Sequence, residues 1–91
     1  MSKINIQRDH GTSKEKAKSA VQKIAEELQQ SMGATYEWQQ DTLLFKKTGA
    51  KGKIVVDDQK VDISVELSLL MKPLKGTIEQ QISQRLDKLI G

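Results

Sequence analysis

From Val61 to Leu69, apolar and polar residues alternate without a break. Val61, Ile63, Val65, Leu67 and Leu69 fall on one side, and Asp62, Ser64, Glu66 and Ser68 on the other. Strand side chains project alternately to opposite faces, so this segment demands a sheet with one buried and one wet face. Leu70-Met71-Lys72-Pro73 then ends the strand, because proline lacks the amide a ladder needs. Leu74-Lys75-Gly76 completes an elbow, and Thr77 with Gln80 has the spacing of a capping box. The helix that follows carries an apolar stripe of Ile78, Ile82, Leu86, Leu89 and Ile90, which must fold back over the strand.

The rest of the chain supplies partners for that strand. Ile4 and Ile6 around Asn5 begin a short first strand over 3–9, and His10-Gly11-Thr12-Ser13 turns into a helix. Thr12 with Glu15 fits a capping box there. Ala17, Ala20, Val21, Ile24, Ala25, Leu28 and Met32 recur at threes and fours, the period of an amphipathic helix, and Gly33 closes it. From Ala34 the period becomes two, with Ala34, Tyr36 and Trp38 sharing a face. Gln40-Asp41 forms a tight turn into a strand over 42–47, with Leu43 and Phe45 pointing inward. After Thr48-Gly49-Ala50, a fourth strand places Gly52, Ile54 and Val56 on one side.

The order β-α-β-β-β-β-α admits few arrangements. Short turns join strands two to five into an antiparallel meander. Pairing the first strand with the fifth gives the order 2-3-4-5-1. The reading is one α+β domain over residues 1–91: a two-layer, five-stranded antiparallel sheet with both helices on one face, like a shortened helix-grip fold. Such a sheet is roughly 20–25 Å wide at ~4.8 Å per strand. Two helices of ~10 Å diameter nearly cover it and leave little room for a large cavity.

The absence of cysteine removes disulfides, thiolate metal sites and cysteine nucleophiles. The start, Met1-Ser2-Lys3, lacks a signal-peptide run, and no segment approaches the ~20 apolar residues of a membrane span. A soluble, cytoplasmic protein is the expectation. The net charge of +3, from 15 basic and 12 acidic residues, is interspersed along the chain and selects no partner by itself.

Reactive chemistry finds little support. His10 is the sole histidine, with Asp9 and Ser13 nearby, but three neighbours on one turn do not converge as a triad must. The structural alternative is Ser13 competing as a helix cap and His10 exposed or bonded to backbone. Metal-ligand spacing and the nucleotide-binding glycine patterns are both missing, so no catalytic, cofactor or metal residue is assigned. Lys75-Gly76-Thr77 precedes a helix, yet a capped elbow explains it. Lys46, Lys47, Lys51 and Lys53 crowd one hairpin and could meet phosphates. Against nucleic acid, the inward Tyr36, Trp38 and Phe45 offer no stacking platform, and Lys53 can pair with Glu66 or Asp62 across the sheet. Surface adsorption would fall to exposed Leu44, Leu70 and Met71.

Several features together resemble one small bacterial family. They are Ile4-x-Ile6 with a basic residue and His10 before the first helix, Tyr36-x-Trp38-x-x-Asp41-x-Leu43-x-Phe45, and Gly49-x-x-Gly52. Val65-Glu66-Leu67 through Leu70, Pro73-Leu74-Lys75-Gly76-x-Ile78-Glu79 and Leu86-Asp87-Lys88-Leu89 complete the set. The set is similar to the polyhydroxyalkanoic acid system, or granule-region, proteins over nearly the whole chain, with Thr12 standing where an apolar residue is expected. The resemblance implies a non-enzymatic accessory or interaction protein of polyester storage granules, with the granule or its proteins as partner and no catalytic residues to carry over. The interaction surface expected is Lys46, Lys47, Lys51, Lys53, Leu70 and Met71. Two other classes compete. One is an apolar-ligand module whose last helix grips a cavity on the order of several hundred Å3. The other is a nucleic-acid-binding regulator using the four lysines. Free edges at the first two strands would allow a homodimer by strand pairing.

Overall fold

The computed structural model describes residues 2–89. Five strands, β1 (Ser2–Asp9), β2 (Thr35–Gln39), β3 (Thr42–Lys47), β4 (Ala50–Val56) and β5 (Lys60–Leu67), form one antiparallel sheet in the order β1-β5-β4-β3-β2. That is the expected order, with β5 in the place its alternation demanded. Helix α1 (Lys14–Met32) lies over β2, β3 and β4, and α2 (Lys75–Leu89) lies against β1 and α1. Both helices contribute to one aliphatic cluster: Val21, Ile24 and Leu28 of α1 meet Ile82 and Leu86 of α2 above Ile63 and Val65 of β5. Of the expected α2 stripe, Ile90 and the side chain of Leu89 lie outside the described residues.

The register explains which face is covered. Ile4 pairs with Val65 and Ile6 with Ile63, while Ile54 sits between Ile63 and Leu43 across the sheet. Phe45 and Trp38 also pack on this cluster, which fixes the phase of β3 as expected despite Leu44. Gln22 of α1 serves both edge aromatics, accepting from Trp38 Nε1 at 2.7 Å and donating to the Tyr36 hydroxyl at 2.9 Å. At the opposite end Arg8 reaches from β1 to α2, meeting Ser83 Oγ at 2.8 Å and Asp87 Oδ1 at 3.2 Å.

Three sequence expectations are corrected. Ser13, not Thr12, caps α1: its Oγ accepts from the Lys16 amide at 3.2 Å. The Thr12 amide donates instead to His10 Nδ1. No capping box opens α2, because a 3-10 turn (Leu69–Leu74) runs directly into it and the Lys75 amide bonds to the Lys72 carbonyl. Leu69, assigned inward by alternation, is 72% exposed. The ladder stops at Leu67, opposite Ala50 and Ser2, so beyond it no strand remains to hold an extended conformation.

Two aspartates fasten the turns. Asp41 takes Lys14 Nζ at 2.7 Å and Lys18 Nζ at 3.3 Å, and the same Lys18 lies 5.1 Å from the centre of the Trp38 ring. Hydrogen bonds from Lys14 and Lys18 hold the Asp41 carboxyl below the usual range, and the same bond raises Lys14. Asp57 is lowered by amides of Lys60 at 2.6 Å and Gln59 at 2.8 Å. A carboxyl lowered by folding contributes stability above its unfolded pKa and loses it as pH falls through the folded value. The raised lysine contributes below its unfolded pKa and loses that as pH rises through the folded one. Because water reaches these carboxyls and screens them, the urea midpoint should fall modestly below about pH 4, and Asp41→Asn should flatten that descent. Equal acid slopes for the two proteins would refute the assignment.

Candidate interaction surface

His10 directly follows β1 and is buried, 4% exposed. Its Nδ1 accepts from the Thr12 amide at 3.2 Å, so the ring proton is on Nε2, which donates to the Asp57 carbonyl at 2.7 Å. Gly11, at φ 59°, lets the chain fold around the ring. Both nitrogens are thus spent on backbone, and the ring pins the α1 turn to the β4–β5 turn. This is the structural alternative of the sequence reading. Among the described residues no three histidine, cysteine or acidic side chains group as metal ligands, and no helix is long and apolar enough to cross a membrane.

The four lysines divide between faces. Lys46, Lys51 and Lys53 line the open face, whereas Lys47 sits at the helix side, beside Ile78 and Ile82. Lys46 lies directly opposite Lys51, and Lys53 opposite Ser64 and Leu44. The cross-strand charge pair is therefore Lys51 with Glu66, at 3.7 Å, with Lys3 on the other oxygen at 4.0 Å. Lys53 makes neither of the pairs expected for it. Asp62 instead accepts from Gln7 at 3.2 Å.

The two faces differ in the space they leave. Between α1, α2 and the sheet, the gap bounded by Leu28, Phe45 and Ile82 is about 30 Å3. That is far below the volume an apolar ligand gripped by α2 would need. On the open face a trough of about 640 Å3 runs from Glu37 on β2 to Glu66 on β5, over Leu44, Lys46, Lys51 and Lys53. Tyr36 and Phe45 border the trough, but with Trp38 they pack on the core, and the Tyr36 hydroxyl and Trp38 indole are tied to Gln22 of α1, so the three rings serve the helix side rather than a base-stacking platform.

Among the described residues, the exposed large apolar side chains stand just past β5. Leu70 is 89% exposed, Leu69 72% and Leu74 47%, all on the 3-10 turn that contains Pro73. Met71 behaves differently and packs on the core beside Gly49, where a Cβ would come within 2.8 Å of Met71 Cγ. Met71 thus anchors the turn that presents the leucines. The Ser68 amide, donating to Gly49 O at 2.9 Å, fixes the turn against the β3–β4 hairpin. Of the surface expected from sequence, Leu70, Lys46 and Lys51 therefore share one end of the sheet and Lys53 the same open face, while Lys47 is exposed on the helix side and Met71 packs on the core. Leu69 and Leu74 were missed, although three successive apolar residues, Leu69-Leu70-Met71, already break the strand alternation. Beside the turn, Lys72 and Lys75 add positive charge.

A family model described as "Putative polyhydroxyalkanoic acid system protein" matches residues 4–90. Neither a curated relative nor a solved structure matches the chain.

Proposed function

Because the chain belongs to the polyhydroxyalkanoic acid system family, we propose that it is a non-enzymatic accessory protein of the cytoplasm that attaches to the polyester granule through Leu69, Leu70 and Leu74. The observation that carries this reading is the exposure of three leucines on one anchored turn. A folded domain gains nothing from leucine in water. Burying each against an apolar surface is worth about 1.5–3 kcal/mol. A polyester presents such a surface, and the flanking Lys72 and Lys75 can reach anionic groups around the contact. The covered face of the sheet is unsuited to the task, since its residues already close the core.

Co-sedimentation tests it. A tagged copy should pellet with granules isolated from polyester-bearing cells, and Leu70→Gln should reduce the bound fraction about tenfold. Its thermal midpoint should not move, because Leu70 touches solvent rather than core. A wild-type protein that stays in the supernatant, or a Leu70→Gln variant that pellets equally, removes direct attachment through this turn.

A further inference from the structure

We propose that the open face of the sheet is a binding site for a carboxylate-terminated acyl chain, its carboxylate held by Lys46 and Lys53 and its chain laid over Leu44. The argument begins with an imbalance of charge. Lys46 and Lys51 stand directly opposite each other, an arrangement that disfavours the sheet by like-charge repulsion, and Lys53 shares their face. Two carboxylates share this face: Glu66 is already taken by Lys51 and Lys3, and Glu37 accepts from Gln39 Nε2 at 3.4 Å and makes no ion pair with a described lysine. Among the described residues Lys46 and Lys53 make no ion pair. An anion entering between them would relieve the repulsion.

The surroundings select the anion. β3 and β4 lie inside the sheet, with strands on both sides taking their ladder bonds, so no cluster of free amides is there to wrap a phosphate. Two ammonium groups suit a carboxylate. Leu44 and the lysine stems give the trough an apolar lining that a fully hydrated ion would not use. Its space, about 640 Å3, is open to solvent, so a chain would lie along the sheet rather than be enclosed. From the β3–β4 pair that carries Lys46 and Lys53 to the outer side of β2 is roughly 7–10 Å at ~4.8 Å per strand, so the trough takes about six to eight carbons of an extended chain and a longer one runs on past β2.

The trough also lies next to the exposed leucines. Lys46, Lys51 and Glu66 occupy the end of the sheet where Gly49 and Ser68 tie the hairpin to the 3-10 turn. A domain seated by its leucines would therefore open the trough beside the granule. Only the source of the chain, a polyester end rather than a free acid, rests on the granule reading.

The experiment is a titration of 15N-labelled protein, followed by amide shifts, with decanoate, with a 3-hydroxydecanoate trimer, and with methyl decanoate as the uncharged control, all below micelle-forming concentrations. Saturable shifts are expected at Leu44, at 51–53 and at Ser64, with the ester at least about tenfold weaker than the acid. The Lys46→Gln/Lys53→Gln double variant should lose at least about tenfold in affinity at a melting midpoint no lower than that of the wild type, since it also relieves the Lys46–Lys51 repulsion. Tighter binding of the trimer supports a polymer end, and tighter or equal binding of decanoate supports a free acid. Absent shifts, shifts confined to Leu28, Ile78 and Ile82, or equal affinity in the double variant overturn the site. Granule co-sedimentation of the double variant is read separately, so losing this site leaves attachment through Leu70 standing or falling on its own result.

Discussion

Gly52→Ala should lower the unfolding free energy by about 3 kcal/mol and the melting midpoint by on the order of 15 °C. A Cβ at this position would lie 2.5 Å from Phe45 Cζ and 2.8 Å from the Ser64 carbonyl oxygen. Neither obstacle gives way cheaply. Phe45 is the cross-strand partner of Gly52, and its ring lies across the glycine while packing on the core. Covering a strand glycine with an opposing aromatic ring offsets the packing that the missing side chain forfeits. The Ser64 oxygen belongs to β5, and shifting it would disturb the strand that joins β1 to β4. The Phe45→Ala background separates the two obstacles. There the same glycine substitution should cost about 1 kcal/mol, with the difference reporting the ring. Equal costs in both backgrounds, measured by urea unfolding, would show that the ring is not what excludes a side chain.

His10→Ala is the second large loss, about 2–3 kcal/mol. It removes a buried ring and leaves the Asp57 carbonyl and the Thr12 amide without their partner. The backbone bond from the His10 amide to Gln59 O, 3.0 Å, remains, so the strand end should not come free altogether. His10→Asn is the discriminating variant. Its side-chain oxygen can take the Thr12 amide but its shorter side chain falls short of Asp57, so its stability should lie between the two. Imidazole 15N shifts of the wild type should show the proton on Nε2. An alanine variant as stable as wild type, or the opposite tautomer, would remove the ring's clamping role.

The parts of the fold that the sequence revealed are those in which one periodicity met one partner. Val61 to Leu67 alternates because both neighbours, β1 and β4, run alongside it for that whole length. Alternation alone could not reveal where those neighbours stop, and it carried Leu69 inward by a pattern that no longer had a ladder to enforce it. The cap of α1 was misplaced by one residue for a related reason: His10, far from looking like a helix signal, takes the Thr12 amide and leaves Ser13 to do the capping. The lysine cluster was visible as composition, but its division between faces depends on the parity of β3 relative to β4. Lys47 and Lys46 are neighbours in sequence and serve opposite sides of the sheet. The trough was not legible at all. It is assembled from side chains on four neighbouring strands, a juxtaposition to which local residue patterns are nearly blind.

β1 has a single strand neighbour, β5, and Ile4 and Ile6 reach their places only through Ile63 and Val65. On a ribosome the earliest strand to emerge must therefore wait for the latest one, and the intervening hairpins can assemble without it. Closure of so distant a pairing is slow, and until it happens two isoleucines and a bare hydrogen-bonding edge are open to strangers. Nascent chains halted before Leu67 should thus be bound by chaperones or clump together, whereas chains released after α2 should lose that binding as β1 and β5 pair.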